Sequence, residues 1–293
     1  MSTRTRSLLF LVTAAVLWST SGLFLKNMPS VHWLAIAGLR SFFAALIFLP
    51  GLRQTGPPLK KLVAAVALYA ALVSALMGSM QLGTAAQGIW LQYIAPALVA
   101  LYAWLIQRQR IRRVESAAAM LTVVAVFLIV TGGSGRAHQQ SVLLGVASGF
   151  AFAAFIVLLK SMGAAAPASI FFWTNIGTAA LVLPAGVWLG IPVIPGPREI
   201  GLLAAMGLFQ LGLAYYFFQW ALAKTRAVEA SLIILLEPIL NPIWVYLALG
   251  EIPAPKVIVG CAFIAVGLAA MAVFPNRRGV EGAGAHPSAG DRG

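Results

Sequence analysis

Glu237 stands in the middle of Leu232-Ile-Ile-Leu-Leu-Glu237-Pro238-Ile-Leu-Asn241-Pro242-Ile-Trp244, an apolar run of membrane-helix length. An acid at bilayer depth costs about 2.5–3.5 kcal/mol on insertion scales, and it persists only with a partner, a water-filled cavity or a task. The two prolines beside it each remove a backbone donor and free carbonyls that a neighbour or solvent must satisfy. A broken helix carrying an acid reads as a pathway. Glu237 could bind a substrate ammonium group, carry a coupling proton, or act structurally by hydrogen-bonding a neighbouring helix. Asn241, one helical turn on, shares its face and can serve the same ligand or network. Arg40, at the centre of the second apolar run, is the only basic residue at mid-membrane depth. Its planar guanidinium could meet a substrate carboxylate, or form an ion pair with Glu237 that leaves the bilayer interior near neutral.

Gln87, Trp90 and Tyr93 recur every three residues before Pro96, so one helical stripe would carry an amide, an indole and a phenol. Such a face could stack an apolar or aromatic side chain while hydrogen-bonding its polar end. Trp18 opens the hydroxyl-rich Trp18-Ser19-Thr20-Ser21, and Gln210 is the deepest amide of a run that also holds Tyr215, Tyr216, Gln219 and Trp220. The candidate substrate-binding set is therefore Trp18, Gln87, Trp90, Tyr93, Gln210, Glu237 and Asn241, with Arg40 and Glu237 as the candidate ion pair or coupling groups. Hydrolysis or metal chemistry inside the bundle would need histidines or paired carboxylates there. His32, His138 and His286 fall at run ends, in a loop or in the tail, and Cys261 is the single cysteine. No catalytic residue, metal or cofactor is expected, and an intramolecular disulfide is excluded.

These residues need membrane helices to position them. The 293-residue chain is 61% hydrophobic and only 9% charged, a balance that a water-soluble domain could not cover with polar surface. Ten apolar runs of membrane length are expected at about 7–26, 31–50, 61–82, 85–106, 113–132, 141–163, 168–188, 199–222, 227–250 and 255–275. The first follows Arg4 and Arg6 as a secretory signal would, but it continues to Lys26 without a convincing cleavage site and reads as the first helix. Placing the N-terminus in the cytoplasm puts fifteen Lys and Arg on that side and four on the other, so both termini are expected inside. The net charge of +13 is thus accounted for by topology and anionic lipid, not by nucleic acid.

An internal repeat organises the runs. Leu25-Lys26 and Leu159-Lys160 are 134 positions apart, as are Leu49-Pro50 and Leu183-Pro184. After extra residues in 190–197 the offset becomes 142, which sets Ala95-Pro96 against Glu237-Pro238. The chain divides into a short N-terminus (1–6), a first five-helix half (7–132), a linker (133–140), a second half (141–275) and a Gly/Ala-rich tail (276–293) expected to be disordered. Five is odd, so the second half enters the membrane inverted. Inverted repeats give one site two mirror-related exits, the basis of alternating access. Lys26 and Lys160, at matched helix ends, are expected to snorkel. Gly145-x-x-x-Gly149 suits close helix packing.

Two five-helix halves, Tyr93-Ile-Ala-Pro96-Ala-Leu in the first, and Glu237-Pro238 followed by Leu249-Gly250-Glu251 in the second resemble the EamA type of the drug/metabolite transporter superfamily, with YddG-type amino-acid exporters the nearest functional model. The first half departs from the pattern, with Ala95 and Arg108-Gln109 where Glu and Gly-Glu could stand. The resemblance implies a ten-helix secondary transporter whose cavity is lined by helices one, three, four, six, eight and nine. That set omits helix two and favours a structural role for Arg40. The expected function is export of small amphipathic metabolites, amino acids first, across a bacterial inner (cytoplasmic) membrane. Multidrug efflux, exchange of a metabolite such as a nucleotide sugar, and a non-transporting structural or receptor role compete with it. The expected partners are a small-molecule substrate and the lipid bilayer.

Overall fold

The computed structural model describes residues 3–274 except 109, 111, 163–165, 223 and 226. The expected tail (276–293) lies outside the described residues. The described chain is helical throughout, with ten membrane segments: α1 (Thr3–Lys26), α2 (Trp33–Ile47), α3 (Leu59–Leu82), α4 (Ala85–Leu105), α5 (Arg113–Val130), α6 (Arg136–Lys160), α7 (Pro167–Trp188), α8 (Pro197–Leu222), α9 (Glu229–Leu249) and α10 (Pro255–Val273). Nine of these are long and apolar enough to cross a bilayer by length and composition. The tenth, α2, is 15 residues long and runs on through Phe48 into a tight turn over Leu49–Arg53.

Local chemistry sets where the segments begin. The His32 ring accepts the Leu34 N–H at the start of α2, the Thr84 hydroxyl accepts the Gln87 N–H at the start of α4, and Glu115 accepts the Arg112 N–H at α5. Prolines open α7, α8 and α10, where a missing N–H costs nothing. Gly250 ends α9 in the left-handed region at φ 69°, which only glycine adopts without strain.

The most extensive helix contacts keep their pattern when each segment of one half is exchanged for its counterpart in the other, whereas α2–α3 and α3–α4 have no equally close counterpart. α1 lies against α8 and α9, and α6 lies against α3 and α4. α2 meets α7 and α5 meets α10, each pair mapping onto itself, while α3–α7 maps onto α2–α8. The fold is therefore two inverted five-helix repeats whose halves interleave. Because lipid is as apolar as any helix face, association depends on close packing, and small residues dominate the contacts. Ala14, Ala15, Ala35, Ala37, Ala44 and Ala45 are all buried, whereas Met120, Phe127, Leu143 and Leu247 stand exposed on the flanks where acyl chains would meet them.

Four segments are interrupted near mid-depth. In α1 the Ser19 and Thr20 hydroxyls donate back to the Val16 and Leu17 carbonyls and bend the chain. A turn at Tyr93-Ile94 breaks α4, α8 winds as a π-helix over Met206–Leu213, and Leu235 interrupts α9 just before Glu237-Pro238. Close approach at one such break relies on Gly149 of α6, where an added Cβ would lie 2.5 Å from Ile94 Cγ1 and 2.9 Å from the Leu91 carbonyl oxygen. Gly149→Val should cost about 1–3 kcal/mol by overpacking and lower the unfolding midpoint in detergent by several degrees. An unchanged midpoint would show that α4 yields freely at this contact.

Candidate functional site

The interrupted segments surround one cavity of about 590 Å³. α1 contributes Trp18 and Ser21, α2 contributes Arg40, and α3 contributes Tyr69, Leu72, Val73 and Leu76. Gln92, Tyr93 and Pro96 come from α4, and Phe152, Phe155, Ile156 and Leu159 from α6. Phe171 of α7 and Gln210, Leu211, Tyr215 and Phe218 of α8 continue the wall, and Ser231, Ile234, Leu235 and Glu237 of α9 close it with Leu268, Met271 and Ala272 of α10. The wall is mainly aliphatic and aromatic: Trp18 packs edge-on to Tyr215 at 4.9 Å between ring centres, and Tyr215 stacks near Phe171 at 4.3 Å.

Two charges face this apolar space from different helices. Glu237 accepts a 2.8 Å hydrogen bond from the Tyr93 hydroxyl, joining the two broken segments across the repeat. Arg40 is 3% exposed and donates through Nη1 to Gln210 Oε1 at 3.5 Å, while Gln210 Nε2 donates to the Trp18 carbonyl at 3.2 Å. The π-helix carries Gln210 to this position, a use such turns often have at functional sites. Gly207 lets α8 approach, since a Cβ there would lie 2.5 Å from the Arg40 carbonyl oxygen. Arg40 and Glu237 make no ion pair with each other; among the described residues the ion pairs are Arg4–Glu229, Lys26–Glu251 and Arg198–Glu199.

Trp18, Tyr93, Gln210, Glu237 and Arg40 thus share the cavity, and three other candidates do not. The α4 stripe drifts round the helix by about 60° at each three-residue step, so Gln92 and Tyr93 line the cavity while Gln87 and Trp90 point away from it. Gln87 donates instead to Ser141 Oγ at 2.8 Å, and Trp90 is 4% exposed in the core. Asn241 donates to Ser21 Oγ at 2.8 Å and ties α9 to α1, with Gly22 leaving room for its side chain. α2, α7 and α10 also line the cavity, beyond the six helices implied by resemblance. Tyr69 was not foreseen, being one phenol in an Ala- and Leu-rich run with no polar neighbour to mark it. Among the described residues no three His, Cys, Asp or Glu side chains come together as a metal site.

Ion pairs stand at both ends of the bundle beyond the cavity, Arg4–Glu229 at one and Lys26–Glu251 at the other. The cavity lining reaches Leu159, Met271 and Ser231, close to the end that carries the termini. The opposite end is crossed by polar bonds. Lys26 does not merely snorkel there: it pairs with Glu251 at 2.7 Å and donates to the Gly83 carbonyl at 2.7 Å, while Glu251 also accepts the Ala85 N–H that begins α4. Beside this clasp, Ser79 Oγ donates to the Ser141 carbonyl and Ser141 Oγ to that of Ser79, each at 2.7 Å.

Comparison with known proteins agrees with this architecture. A family model described as "EamA-like transporter family" matches residues 5–131 and 139–273. The chain is 25% identical over 186 residues to the "Uncharacterized transporter YwfM" of Bacillus subtilis, a match covering 63% of each protein. It is 25% identical over 268 residues to an "Uncharacterized transporter" of Archaeoglobus fulgidus, covering 88% of this chain and 93% of that one. A solved crystal structure superposes with a TM-score of 0.66 at 19% identity over 94% of this chain and all of the other, which shows the shared fold alone.

The geometry separates two neighbouring aromatics. Trp90→Ala should cost about 3–5 kcal/mol of stability. Tyr93→Phe removes only the hydroxyl on Glu237 and should change transport with little loss of fold. A Trp90→Ala protein of unchanged thermal stability and altered substrate preference would reverse that assignment.

Proposed function

Because this multi-pass membrane chain belongs to the EamA-like transporter family, we propose that it is a secondary transporter exporting small amphipathic metabolites, amino acids first, across a bacterial inner membrane by alternating access. The observation that carries this reading is Glu237, set at the break of α9 and facing an apolar cavity of about 590 Å³ to which both repeats contribute. A single acid beside aromatic and aliphatic walls suits a small cation-bearing molecule with an apolar side chain. Phe152, Phe155, Phe171 and Leu211 would receive the side chain, and Glu237 with Tyr93 would receive the ammonium end.

With the termini in the cytoplasm, the lining near Leu159, Met271 and Ser231 lies toward the cytosol and the Lys26–Glu251 clasp closes the outer end. This is the arrangement an exporter needs when loading. Among the described residues Arg40 is the one cation lining the cavity, so large phosphorylated ligands such as nucleotide sugars are disfavoured. Multidrug efflux competes through the aromatic wall.

Counterflow in proteoliposomes tests the reading. Vesicles loaded with unlabelled amino acids should accelerate uptake of a labelled one, ranked by side-chain size. A response to cationic drugs alone would transfer the assignment to drug efflux. Glu237→Gln should lower amino-acid exchange about 10–100-fold, the loss of one charge-assisted contact. If Glu237 also carries the coupling proton, the variant's residual exchange should no longer depend on pH.

A further inference from the structure

Three buried polar groups around the cavity have no hydrogen-bond partner among the described residues: Arg40 Nε, Trp18 Nε1 and the Tyr69 hydroxyl. All three residues line the same cavity, and they are 3%, 8% and 1% exposed. Guanidinium and indole N–H groups can only donate, and the Tyr69 hydroxyl can do so as well. Asn175 Oδ1 is a buried acceptor beside Tyr69, so the donors left unmatched are Arg40 Nε and Trp18 Nε1, in surroundings where an unmet charged donor is costly. Glu237 accepts from Tyr93 on α4 and, among the described residues, makes no ion pair or hydrogen bond with Arg40. Among the described residues Gln210 supplies the acceptor oxygen that reaches Arg40, at 3.5 Å, and its own N–H is spent on the Trp18 carbonyl.

We infer that Arg40, positioned by Gln210 and assisted by Trp18, is a carboxylate-binding subsite, so that the cavity recognises molecules carrying a carboxylate. A carboxylate offers two oxygens with four lone-pair directions and no donor, which complements a planar guanidinium with free N–H groups. One guanidinium balances one negative charge, which selects a monocarboxylate over a phosphate ester. The inference rests on the transport reading in one respect: with Glu237 as the ammonium site, the preferred ligand is a zwitterion held at both ends. Arg40 then determines specificity, admitting an amino acid and refusing the amine or amide that lacks its carboxylate.

Thermal unfolding of the purified full-length protein, with phenylalanine, phenylalaninamide or 3-phenylpropanoate added at graded concentrations, tests this directly. Leucine and leucinamide form a second pair with a smaller side chain. The acids should stabilise the protein at concentrations about 10–100-fold below those needed for the amides. Arg40→Gln should abolish that preference, bringing acid and amide to the same midpoint concentration, and Arg40→Lys should restore part of it. Should Arg40→Gln fail to fold, Trp18→Phe keeps the ring, removes one donor, and should narrow the acid-to-amide ratio several-fold. Equal stabilisation by acid and amide in the unmodified protein, no stabilisation by any of these carboxylates, or an acid preference that survives Arg40→Gln would each overturn the inference. Stabilisation by 3-phenylpropanoate without amino-acid counterflow would leave the carboxylate subsite standing and remove the amino-acid export reading instead.

Discussion

Carrying a guanidinium to the middle of a membrane helix is costly because hydrocarbon supplies neither water nor counter-charge, and the arrangement around Arg40 answers that cost only in part. Gln210 reaches it because α8 is wound as a π-helix, and α8 approaches because Gly207 has no side chain to strike the Arg40 carbonyl. Glu237 is provided for separately, by the Tyr93 hydroxyl on the opposite repeat. Opposite charges in one low-dielectric space attract strongly, and collapse into a pair would have made them a structural tie. Holding each on its own hydrogen-bonding partner leaves both facing the cavity.

Backbone strain is distributed by the same logic. A helix can be interrupted in a membrane only where protein or a polar cavity takes up the freed groups. The Ser19 and Thr20 hydroxyls serve the carbonyls of α1, and the Tyr93 N–H is shared between the Ile89 and Trp90 carbonyls of α4. The breaks at Tyr93 and Leu235 stand 142 positions apart, the offset that aligns the two proline-bearing segments. The repeat thus reproduces a local backbone defect, although only one copy carries the acid: Ala95 occupies the place of Glu237 in the first half.

Much of the fold was legible because a membrane reduces the problem to apolar length, and the ten segments fall within a few residues of the ten runs. Glu237, Tyr93, Gln210 and Trp18 could be singled out as cavity-lining residues because polar groups at mid-depth are few. Gln87 and Trp90 lie outside the cavity for a physical reason: three residues fall short of a helical turn, so a stripe of that spacing slips off one face by about 60° per step. The place of Arg40 on the cavity wall was not legible, because the resemblance gave no reason to expect α2 there and periodicity carries no information on which helices cross. The Lys26–Glu251 contact joins residues more than 200 positions apart and left no local pattern.

That contact has a consequence for the balance between the two ends of the bundle. Opening the end remote from the termini must separate a charge pair, release the Gly83 carbonyl and uncap the first turn of α4 together. The mirror-related end is tied differently: Lys160 stands exposed, the repeat offset sets a glutamine, Gln109, in the place of Glu251, and the ion pair there joins Arg4 of α1 to Glu229 of α9 at 2.6 Å. Two conformations related by an inverted repeat would be equally populated if the halves were identical. Here they are not: Lys26 and Glu251 are 19% and 20% exposed, whereas Arg4 is 70% exposed in the pair at the other end, so the shielded pair is the costlier of the two to separate.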